Sequence, residues 1–526
     1  MIVTKLLIRN IKISPTQSAI LEDENKLTFL EFGERVVKLK NALLEMGVKK
    51  GDRIGLLMLN DFRVMEIFYA CTAIGAIHVP LNYRYSNEEL EFTINDSGIK
   101  VLFLHNEYSN LVPFLRERTP TVQQFILAEN HLIDSELRNY EVIIKNQNAT
   151  AYELTYDDVK EDDMCALFYT AGTTGQAKGV IYTHRNLMSF FYHTNSIQHI
   201  TKETRVLHTA PMFHLAGFGP AFNTIAAGGI NTTLRHFSLN SLVESIKKFK
   251  LTTVLMVPTM INMIINDPNL NIDDLSSLRK IQYGGSPMPL DLLNKTMELL
   301  PNVEFQQGYG MTEGTPLTAL NHEHHIVDGT EKSIRRLKSA GQVVFGVELR
   351  IVDENGNDLG PEQVGEVIFR GPNMTKGYWN LSEETAAAIK NGWFHTGDMA
   401  LMDEDHFIYI IDRKKDMIIT GGENVYSVEV ENILYKHPDV LEAAVIGVPD
   451  DKWGEAVKAI IVRKPGSTLN DREIIQFARA CLAGYKLPKS VEFREELPKT
   501  SAGKIMKRKL KEPFWNSRSG ISYPVQ

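Results

Sequence analysis

The chain has 526 residues, a hydrophobic fraction of 43%, a charged fraction of 23% and a formal net charge of −8. This composition is typical of ordinary folded proteins and excludes a mostly disordered chain, and the length predicts more than one domain. The acidic balance provides no global positive field, so no nucleic-acid partner is expected.

The first part of the chain alternates helix-like and strand-like patterns. Residues 28–47 predict a helix, residues 100–104 a strand, and residues 164–170 and 253–257 two further strands. Alternation of this kind, from about residue 27 to 346, favours βα units and largely parallel sheets.

Two changes of pattern follow. Residues 349–411 show period-two strands separated by turn signals such as the run 353–357, which predict a small β-rich subdomain. After Asp412 a small α+β domain is predicted, with Asn470 as the N-cap of its second helix. Its predicted elements are a helix over 428–437, strands near 443–448 and 456–462, and a helix over 471–483.

No integral membrane segment or export signal is expected. Residues 67–83 form a nearly uncharged stretch that is shorter than the roughly 20 residues of a spanning helix and contains glycine and proline. A buried helix followed by a strand is the better interpretation. Basic residues interrupt the apolar run within residues 1–14. The cysteines form no CxxC pair and predict core thiols in a reducing cytoplasm; they are Cys71, Cys165 and Cys481.

Two clusters of titratable side chains are expected to be solvated. The spacing of one fits no common zinc pattern, and its surroundings are typical of a loop; it comprises His322, His324 and His325. The other is typical of a solvated helix face, and it comprises Lys507, Arg508, Lys509 and Lys511.

The run from Tyr169 to Val180 follows a strand pattern and concentrates glycines, threonines and one lysine. Close backbone N–H groups, hydroxyl donors and a point cation are what a phosphate cradle needs. It is not a Walker loop, because Gly172 and Gly175 are three apart and Lys178 follows three further on. Taken alone, the run also suits a Gly/Thr-rich surface turn.

Further motifs decide between these readings, because with them the sequence resembles the superfamily of acyl-CoA synthetases, luciferases and peptide-synthetase adenylation domains over about residues 28 to 511. The phosphate loop departs from the family at Ala171, where a serine is usual, and at Ala177, where a proline is usual. These changes are expected to affect the rate or ATP affinity rather than the reaction. The other motifs are Pro211–His214, Gln307–Glu313, Trp393–Asp398, Asp412–Asp416 with Gly421–Asn424, and Pro498–Lys504.

The resemblance implies an α/β enzyme that uses ATP, Mg²⁺ and coenzyme A to convert a carboxylate to an acyl-adenylate and then to a thioester. Attack of a carboxylate on the α-phosphate joins two anions, so the site must neutralise charge and fix the geometry. By resemblance the triphosphate is held by Thr170, Thr173, Thr174, Gly175 and Lys178. The α-phosphate is contacted by Thr312, and Mg²⁺ by Glu313 with Thr170. Adenine lies against Gly285, Ser286, Tyr309 and Gly310, and ribose binds Asp398 and Arg413.

The remaining implied roles concern the acid and coenzyme A. His214 gates the acyl pocket, and Lys504 contacts the carboxylate and the α-phosphate during adenylation. The implied domains are a large N-terminal AMP-binding domain, 1–412, and a small mobile C-terminal domain, 413–526, which turns about a hinge at Lys415. The face that this turn brings to the site forms a pantetheine tunnel with Gly421, Gly422 and Trp453.

The acid is expected to have an apolar tail, because residues 215–230 are rich in Ala, Gly and Phe and contain no charge. Amino-acid activation is disfavoured, since Leu215-Ala216-Gly217 stands where amino-acid adenylation domains place an aspartate. A medium or long fatty acid is the first choice and an aryl acid such as a benzoate or cinnamate the second.

Other functions remain open at this point. They are acyl transfer to a carrier protein, a phosphotransferase that releases ADP, and a silent nucleotide-binding protein. A cytoplasmic enzyme is expected, and its oligomeric state is left open, with a homodimer as one option.

Overall fold

The computed structural model describes residues 1–22, 25–129, 137–171, 176–286, 288–499 and 504–515. The chain divides into two compact units. Unit 1 comprises Met1–Leu337, Gly341–Glu348 and Phe369–Phe394, and unit 2 comprises Lys338–Ala340, Leu349–Ile368 and the chain from His395 onward. The expected domain boundary after Asp412 stays a prediction.

The described strands are numbered in chain order. They are β1 (Ser18–Leu21), β2 (Lys26–Thr28), β3 (Arg53–Leu57), β4 (Ile77–Pro80), β5 (Ile99–Leu104), β6 (Gln124–Leu127), β7 (Arg138–Asn139), β8 (Met164–Ala171), β9 (Ala177–Thr183), β10 (Arg205–His208), β11 (Ile230–Thr233), β12 (Thr253–Met256), β13 (Lys280–Gly284), β14 (Glu304–Met311), β15 (Gly314–Leu320), β16 (Gln342–Val343), β17 (Glu348–Val352), β18 (Gly365–Arg370), β19 (Ile389–Lys390), β20 (Trp393–Met402), β21 (Ile408–Arg413), β22 (Ile418–Thr420), β23 (Glu423–Val425), β24 (Val440–Asp450), β25 (Gly454–Arg463) and β26 (Ser490–Arg494).

The described α-helices are numbered in the same way. They are α1 (Thr4–Ile13), α2 (Phe29–Glu45), α3 (Arg63–Ile74), α4 (Asn87–Ser97), α5 (Val112–Arg118), α6 (Tyr140–Lys145), α7 (His184–Gln198), α8 (Leu215–Ala227), α9 (Leu239–Phe249), α10 (Pro258–Ile265), α11 (Leu290–Leu299), α12 (Glu331–Arg336), α13 (Ser382–Ala388), α14 (Ser427–Leu434), α15 (Asp471–Arg479) and α16 (Lys507–Trp515).

Unit 1 contains two large sheets with parallel centres, which confirms the prediction of largely parallel sheets. One has the order β7-β6-β5-β3-β4-β8-β9, and the other has the order β16-β15-β14-β13-β12-β10-β11-β1-β2. The chain changes direction across the first sheet at β3 and across the second at β10. Loops that leave the carboxyl ends of such strands lie at topological switch points, where open α/β sheets bind their ligands.

Local signals account for several unit 1 helices. Helix α2 begins at a capping box, in which Thr28 accepts from the backbone of Glu31 and the Glu31 side chain accepts in return. This confirms the helix predicted over residues 28–47. Helix α3 is buried along almost its whole length and leads into β4, as predicted from the nearly uncharged stretch 67–83. None of the described helices has both the length and the apolar character that crossing a membrane requires.

An aromatic core lies under α8. Phe218 and Phe222 of this helix pack against Phe68 of α3, with ring centroids 4.9 and 5.8 Å away. His78 of β4 packs against Phe68 and Phe218, with both centroid separations 5.5 Å. At the far end of α8, Asn10 of α1 donates to the carbonyl oxygens of its last turn. Much of the uncharged stretch 215–230 is therefore core.

Unit 2 contains β21–β26 and most of β17, β18 and β20. The strands predicted over residues 349–411 are confirmed as β17–β21, whereas residues 369–394 of this stretch belong to unit 1 and include the helix α13. Strands β22–β26 form one sheet of this unit, with the order β23-β22-β25-β24 and with β26 parallel to β25. Residues of α14 and α15 cover one face, and Leu510 of α16 covers the other. Asn470 caps α15 in a capping box with Glu473, as predicted.

Two predictions about single side chains were wrong. Cys71 and Cys165 are buried as expected, but Cys481 is exposed because it lies in the turn after α15 ends. His325 is buried rather than solvated, because its ring packs against Tyr283 and Phe305, and its Nε2 lies 2.9 Å from the Tyr283 hydroxyl.

Candidate active site

The predicted phosphate-binding run is the connection between two antiparallel strands. Thr170 of β8 lies opposite Lys178 of β9, so both side chains belong to the same end of this hairpin. Thr173, Thr174 and Gly175 lie outside the described residues. The Lys178 ammonium lies 5.4 Å from the ring centroid of Tyr378, which the sequence analysis did not single out.

Tyr378 belongs to a strap, defined here as residues 375–381, that runs beside β9. The backbone N–H of Trp379 donates to Gly179 O at 2.7 Å, and the N–H of Ile181 donates to Gly377 O at 3.1 Å. The Trp379 indole N–H donates to Asp96 O at 2.9 Å. The aromatic pair 378–379, directly after a glycine, was the signal in the sequence that could have drawn attention to this segment.

Glu313 lies in the turn between β14 and β15 and is only 8% exposed. Its Oε1 accepts a 2.8 Å hydrogen bond from the Tyr378 hydroxyl, and its backbone oxygen accepts from Thr375 N at 2.8 Å. Burial and then the Glu313 charge raise the pKa of Tyr378, which keeps the phenol a donor. The neighbouring Thr312 is held through its carbonyl oxygen by the Tyr182 hydroxyl, 2.7 Å away.

This arrangement fits a magnesium ion bound with a nucleotide. Mg²⁺ commonly takes one or two protein carboxylates and completes its shell with water and phosphate oxygens. Glu313 supplies one oriented carboxylate, and no cluster of three or more metal-ligating side chains occurs in the described part of the chain. The strap therefore brings a cation, Lys178, and a carboxylate together within unit 1, with Tyr378 between them.

The residues expected to contact adenine lie at the ends of two neighbouring parallel strands. Tyr283 in β13 pairs with Gln307 in β14, so both strands end at the same edge of the sheet. Gly285, with φ +81°, and Ser286 follow β13, and Tyr309 and Gly310 lie near the end of β14. All four belong to unit 1 and occupy this single edge.

His214 is the N-cap residue of α8, at the carboxyl side of β10. Its ring packs on the ring of Phe213, with the centroids 4.3 Å apart, and Phe213 packs edge-on against Tyr83, with the centroids 4.9 Å apart. A Cβ at Gly217 would lie 2.2 Å from Pro211 O, so only glycine allows the first turn of α8 to approach this segment. Ala216 is exposed in the same turn.

In unit 2, Asp398 and Arg413 are paired across β20 and β21. Asp398 is only 3% exposed, and its Oδ1 lies 2.5 Å from Nε of Arg413. The side chain of Thr396 accepts from the Asp398 backbone N–H at 3.0 Å and donates to Val367 O at 2.7 Å. The carboxylate predicted to bind ribose is thus held in place by its own sheet.

The basic run after Lys504 is not a uniformly solvated helix face, and that prediction was wrong for two residues. Lys507 pairs with Glu431 of α14 at 2.8 Å, and both side chains are 12% exposed. Lys511, also buried, donates to Lys415 O at 3.3 Å and lies 3.7 Å from Asp416. The predicted solvation failed because the partners come from distant segments of unit 2.

The predicted hinge residue, Lys415, and the predicted catalytic lysine, Lys504, are near these contacts in sequence. Burial lowers the pKa of Lys415. Lys504 is exposed and precedes α16, whose Lys511 contacts the Lys415 carbonyl. Unit 2 therefore links the helix that follows Lys504 to the predicted hinge residue.

The three residues expected at the pantetheine tunnel are brought together in unit 2. Gly421 N donates to Trp453 O at 2.8 Å, and Gly421 and Gly422 have φ +61° and +86°. A Cβ at residue 421 would lie 2.7 Å from Cε3 of Trp453. Left-handed backbone and a close indole ring both require glycine at this position.

Comparison with known proteins identifies the class. Residues 8–379 match the family model described as AMP-binding enzyme, and residues 429–504 match the AMP-binding enzyme C-terminal domain. The chain belongs to this family of adenylate-forming enzymes. It is an acid–CoA ligase of the AMP-forming type. Enzymes of this family use ATP and coenzyme A as substrates and require Mg²⁺.

Individual relatives cover nearly the whole chain. A feruloyl-CoA synthase from Amycolatopsis sp is 37% identical over 96% of this chain and 98% of that protein. A long-chain-fatty-acid–CoA ligase from Escherichia coli O157:H7 is 33% identical over 94% of this chain and 91% of that protein. The crystal structure of ATP-bound MatB from Rhodopseudomonas palustris is 27% identical and has a TM-score of 0.88, over 98% of this chain and 99% of that chain.

Proposed function

We propose that this ligase activates an acid with an apolar tail, first as the acyl-adenylate with release of pyrophosphate and then as the CoA thioester with release of AMP. The observation that carries the proposal is the contact of Tyr378 with both Lys178 and Glu313. Glu313 lies in the turn after β14, at the sheet edge where Gly285 and Tyr309 lie. A cation and an oriented carboxylate suit a magnesium-bound triphosphate, and the edge offers backbone and an aromatic face for adenine.

The proposed roles follow from what each side chain can do. Lys178 and the hydroxyls of the phosphate loop bind the triphosphate, and Glu313 binds the Mg²⁺ that offsets its charge. Thr312 lies next to Glu313 and contacts the α-phosphate. Lys504 neutralises the charge that accumulates as the carboxylate attacks. Asp398 accepts hydrogen bonds from the ribose hydroxyls, with Arg413 fixing its carboxylate.

The acid is proposed to enter beside His214. Ala216, exposed in the first turn of α8, gives this entrance a small apolar wall without charge. A fatty acid remains our first candidate because an uncharged wall favours a long apolar tail. An aryl acid is the second candidate, and the 37% identity with a feruloyl-CoA synthase favours it.

A panel of acids tests the reaction and its substrate together. ATP-dependent pyrophosphate release is measured with acetate, decanoate, palmitate, benzoate, ferulate and malonate, each with and without coenzyme A. We expect AMP rather than ADP as product, and thioester only when coenzyme A is added. Each buried CH₂ contributes about 0.8 kcal/mol, so decanoate should exceed acetate by orders of magnitude in kcat/KM if the tail is aliphatic.

The outcomes separate the candidates. A preference for ferulate or benzoate selects the aryl acid, and a preference for malonate contradicts an apolar site. Stoichiometric ADP would show a phosphotransferase, and adenylation that coenzyme A never converts to thioester would point to another acyl acceptor.

We further propose a cytoplasmic location and a mobile C-terminal domain that begins at residue 413 and turns about Lys415. Buried free thiols at Cys71 and Cys165 suit a reducing compartment.

A further inference from the structure

Asn60 connects the two topological switch points of unit 1. It lies in the loop after β3, and its side chain reaches the loop after β10, while only 5% of the residue is exposed. Its Nδ2 donates to His208 O at 3.1 Å and to Ala210 O at 3.0 Å, and its Oδ1 accepts from Met212 N at 2.9 Å. One amide group thus holds three backbone groups of residues 208–212, the segment directly before His214.

The loop that carries Asn60 is itself firmly held. The neighbouring Asp61 lies 3.0 Å from Nη1 of Arg63 and 3.4 Å from Nε2 of His105, and His105 Nδ1 accepts from Leu59 N at 3.1 Å. Burial alone would raise the pKa of Asp61, but Arg63 and His105 outweigh it and lower that pKa to about 2. Asn60 therefore projects from a loop fixed by an ionised, buried carboxylate.

The held segment in turn supports the first turn of α8. Pro211 O accepts from His214 N at 3.1 Å. The same oxygen occupies the space that a side chain at residue 217 would need. A shift of residues 210–212 would consequently move the helix start that carries His214 and the exposed Ala216.

We propose that Asn60 is a positioning residue for the acid: it holds residues 208–212 so that His214 and Ala216 form the acyl entrance before the substrate arrives. The inference rests on the proposed role of His214 as the gate. Asn60 acts through the backbone and does not contact the acid. Among the described residues, its side-chain bonds all go to this segment and none to β13 or β14, where ATP is proposed to bind.

Two variants test the proposal. Asn60→Ala removes all three bonds, and the nearly isosteric Asn60→Asp keeps an acceptor for Met212 N but turns a carboxylate towards two carbonyl oxygens. Asn10→Ala is the matched control, because Asn10 is 1% exposed and its Nδ2 donates to Ile225 O at 2.7 Å and Ala226 O at 3.1 Å, at the other end of the same helix. Each variant is assayed by ATP–pyrophosphate exchange with decanoate and with ferulate, varying acid and ATP separately.

A second measurement does not depend on activity. Hydrogen–deuterium exchange is followed in a peptide that spans residues 208–214, in the full-length protein without substrates. Loss of the acceptor for Met212 N should raise exchange in this peptide in Asn60→Ala. The remainder of β10 and the body of α8 should keep wild-type protection.

We expect both Asn60 variants to raise KM for the acid about tenfold or more, since two or three hydrogen bonds of about 1 kcal/mol each order this segment. KM for ATP should stay near the wild-type value, and Asn10→Ala should lower the melting temperature without raising KM for the acid.

Three results would overturn the proposal. They are equal rises in KM for acid and for ATP in the Asn60 variants, the same rise in KM for the acid in Asn10→Ala, or unchanged hydrogen–deuterium exchange of residues 208–214 in Asn60→Ala. If wild type activates neither probe acid, the proposed function is in doubt, whereas the exchange experiment still decides whether Asn60 holds the segment.

Discussion

The hydroxyl of Tyr378 offers the sharpest test of the proposed magnesium-binding role of Glu313. Tyr378→Phe retains the ring that lies 5.4 Å from the Lys178 ammonium and removes only the donor that lies 2.8 Å from Glu313 Oε1. A hydrogen bond to a charged group contributes about 1.5–3 kcal/mol, and about 1.4 kcal/mol corresponds to a factor of ten in rate. Because Glu313 is proposed to hold Mg²⁺ while charge develops, ATP–pyrophosphate exchange should fall by roughly one to two orders of magnitude.

The assay is exchange measured across a Mg²⁺ titration, and the half-saturating Mg²⁺ concentration should rise in Tyr378→Phe. Tyr140→Phe is the control, because its hydroxyl donates to Glu66 Oε2 at 2.7 Å in the core. This control should lower the free energy of unfolding but leave exchange unchanged. Wild-type exchange by Tyr378→Phe at low Mg²⁺, or equal losses in both variants, would refute the assigned role of Glu313.

Three further outcomes are expected. Lys504→Ala should abolish pyrophosphate exchange yet convert preformed acyl-adenylate and coenzyme A to thioester at a near wild-type rate, because the lysine charge is proposed to act during adenylation; equal losses in the two assays would contradict this. Gly421→Ala should slow thioester formation, because the added methyl group would clash with Trp453. Gly466→Ala is the control: residue 466 also has a positive φ, +82°, but lies in open space, so this variant should form thioester normally. Steady-state assays of both half-reactions measure the two effects. His78→Phe should raise the melting temperature, since neither ring nitrogen has a hydrogen-bond partner among the described residues. Burial lowers the pKa of His78 to about 3, so between pH 6.5 and about 3 only the unfolded chain takes up this proton. Denaturant unfolding at about pH 5 and about pH 8 should therefore show a smaller loss of stability on acidification in His78→Phe, and an equal loss would rule out the mechanism.

Elements with local signals were predictable from the sequence. The helix over residues 28–47 is specified by its capping box, and Asn470 marks the start of α15 in the same way. The residue pattern was sufficient to predict the strands β8 and β12. The uncharged run 67–83 was interpreted correctly as a buried helix followed by a strand. These features depend on residues within a few positions of one another.

Contacts between distant segments were not predictable in this way. Tyr378 and Glu313 are 65 residues apart, and nothing near either residue indicates the other. Lys507 looked solvated because its neighbours are charged, but its pairing with Glu431 depends on how α14 and α16 pack against the sheet of unit 2. The motif residues of the site could be recognised one by one, whereas the side chains that hold them in place required the fold.

The first turn of α8 also sets limits on redesign of the enzyme. Two adjacent residues differ completely in their tolerance to substitution. Ala216 is exposed, while any side chain at Gly217 would collide with Pro211 O. A combinatorial library that varies both positions would lose most of its members to misfolding at residue 217. Varying Ala216 alone leaves the backbone intact, so new acid specificities should be sought there through a graded series of side-chain volumes.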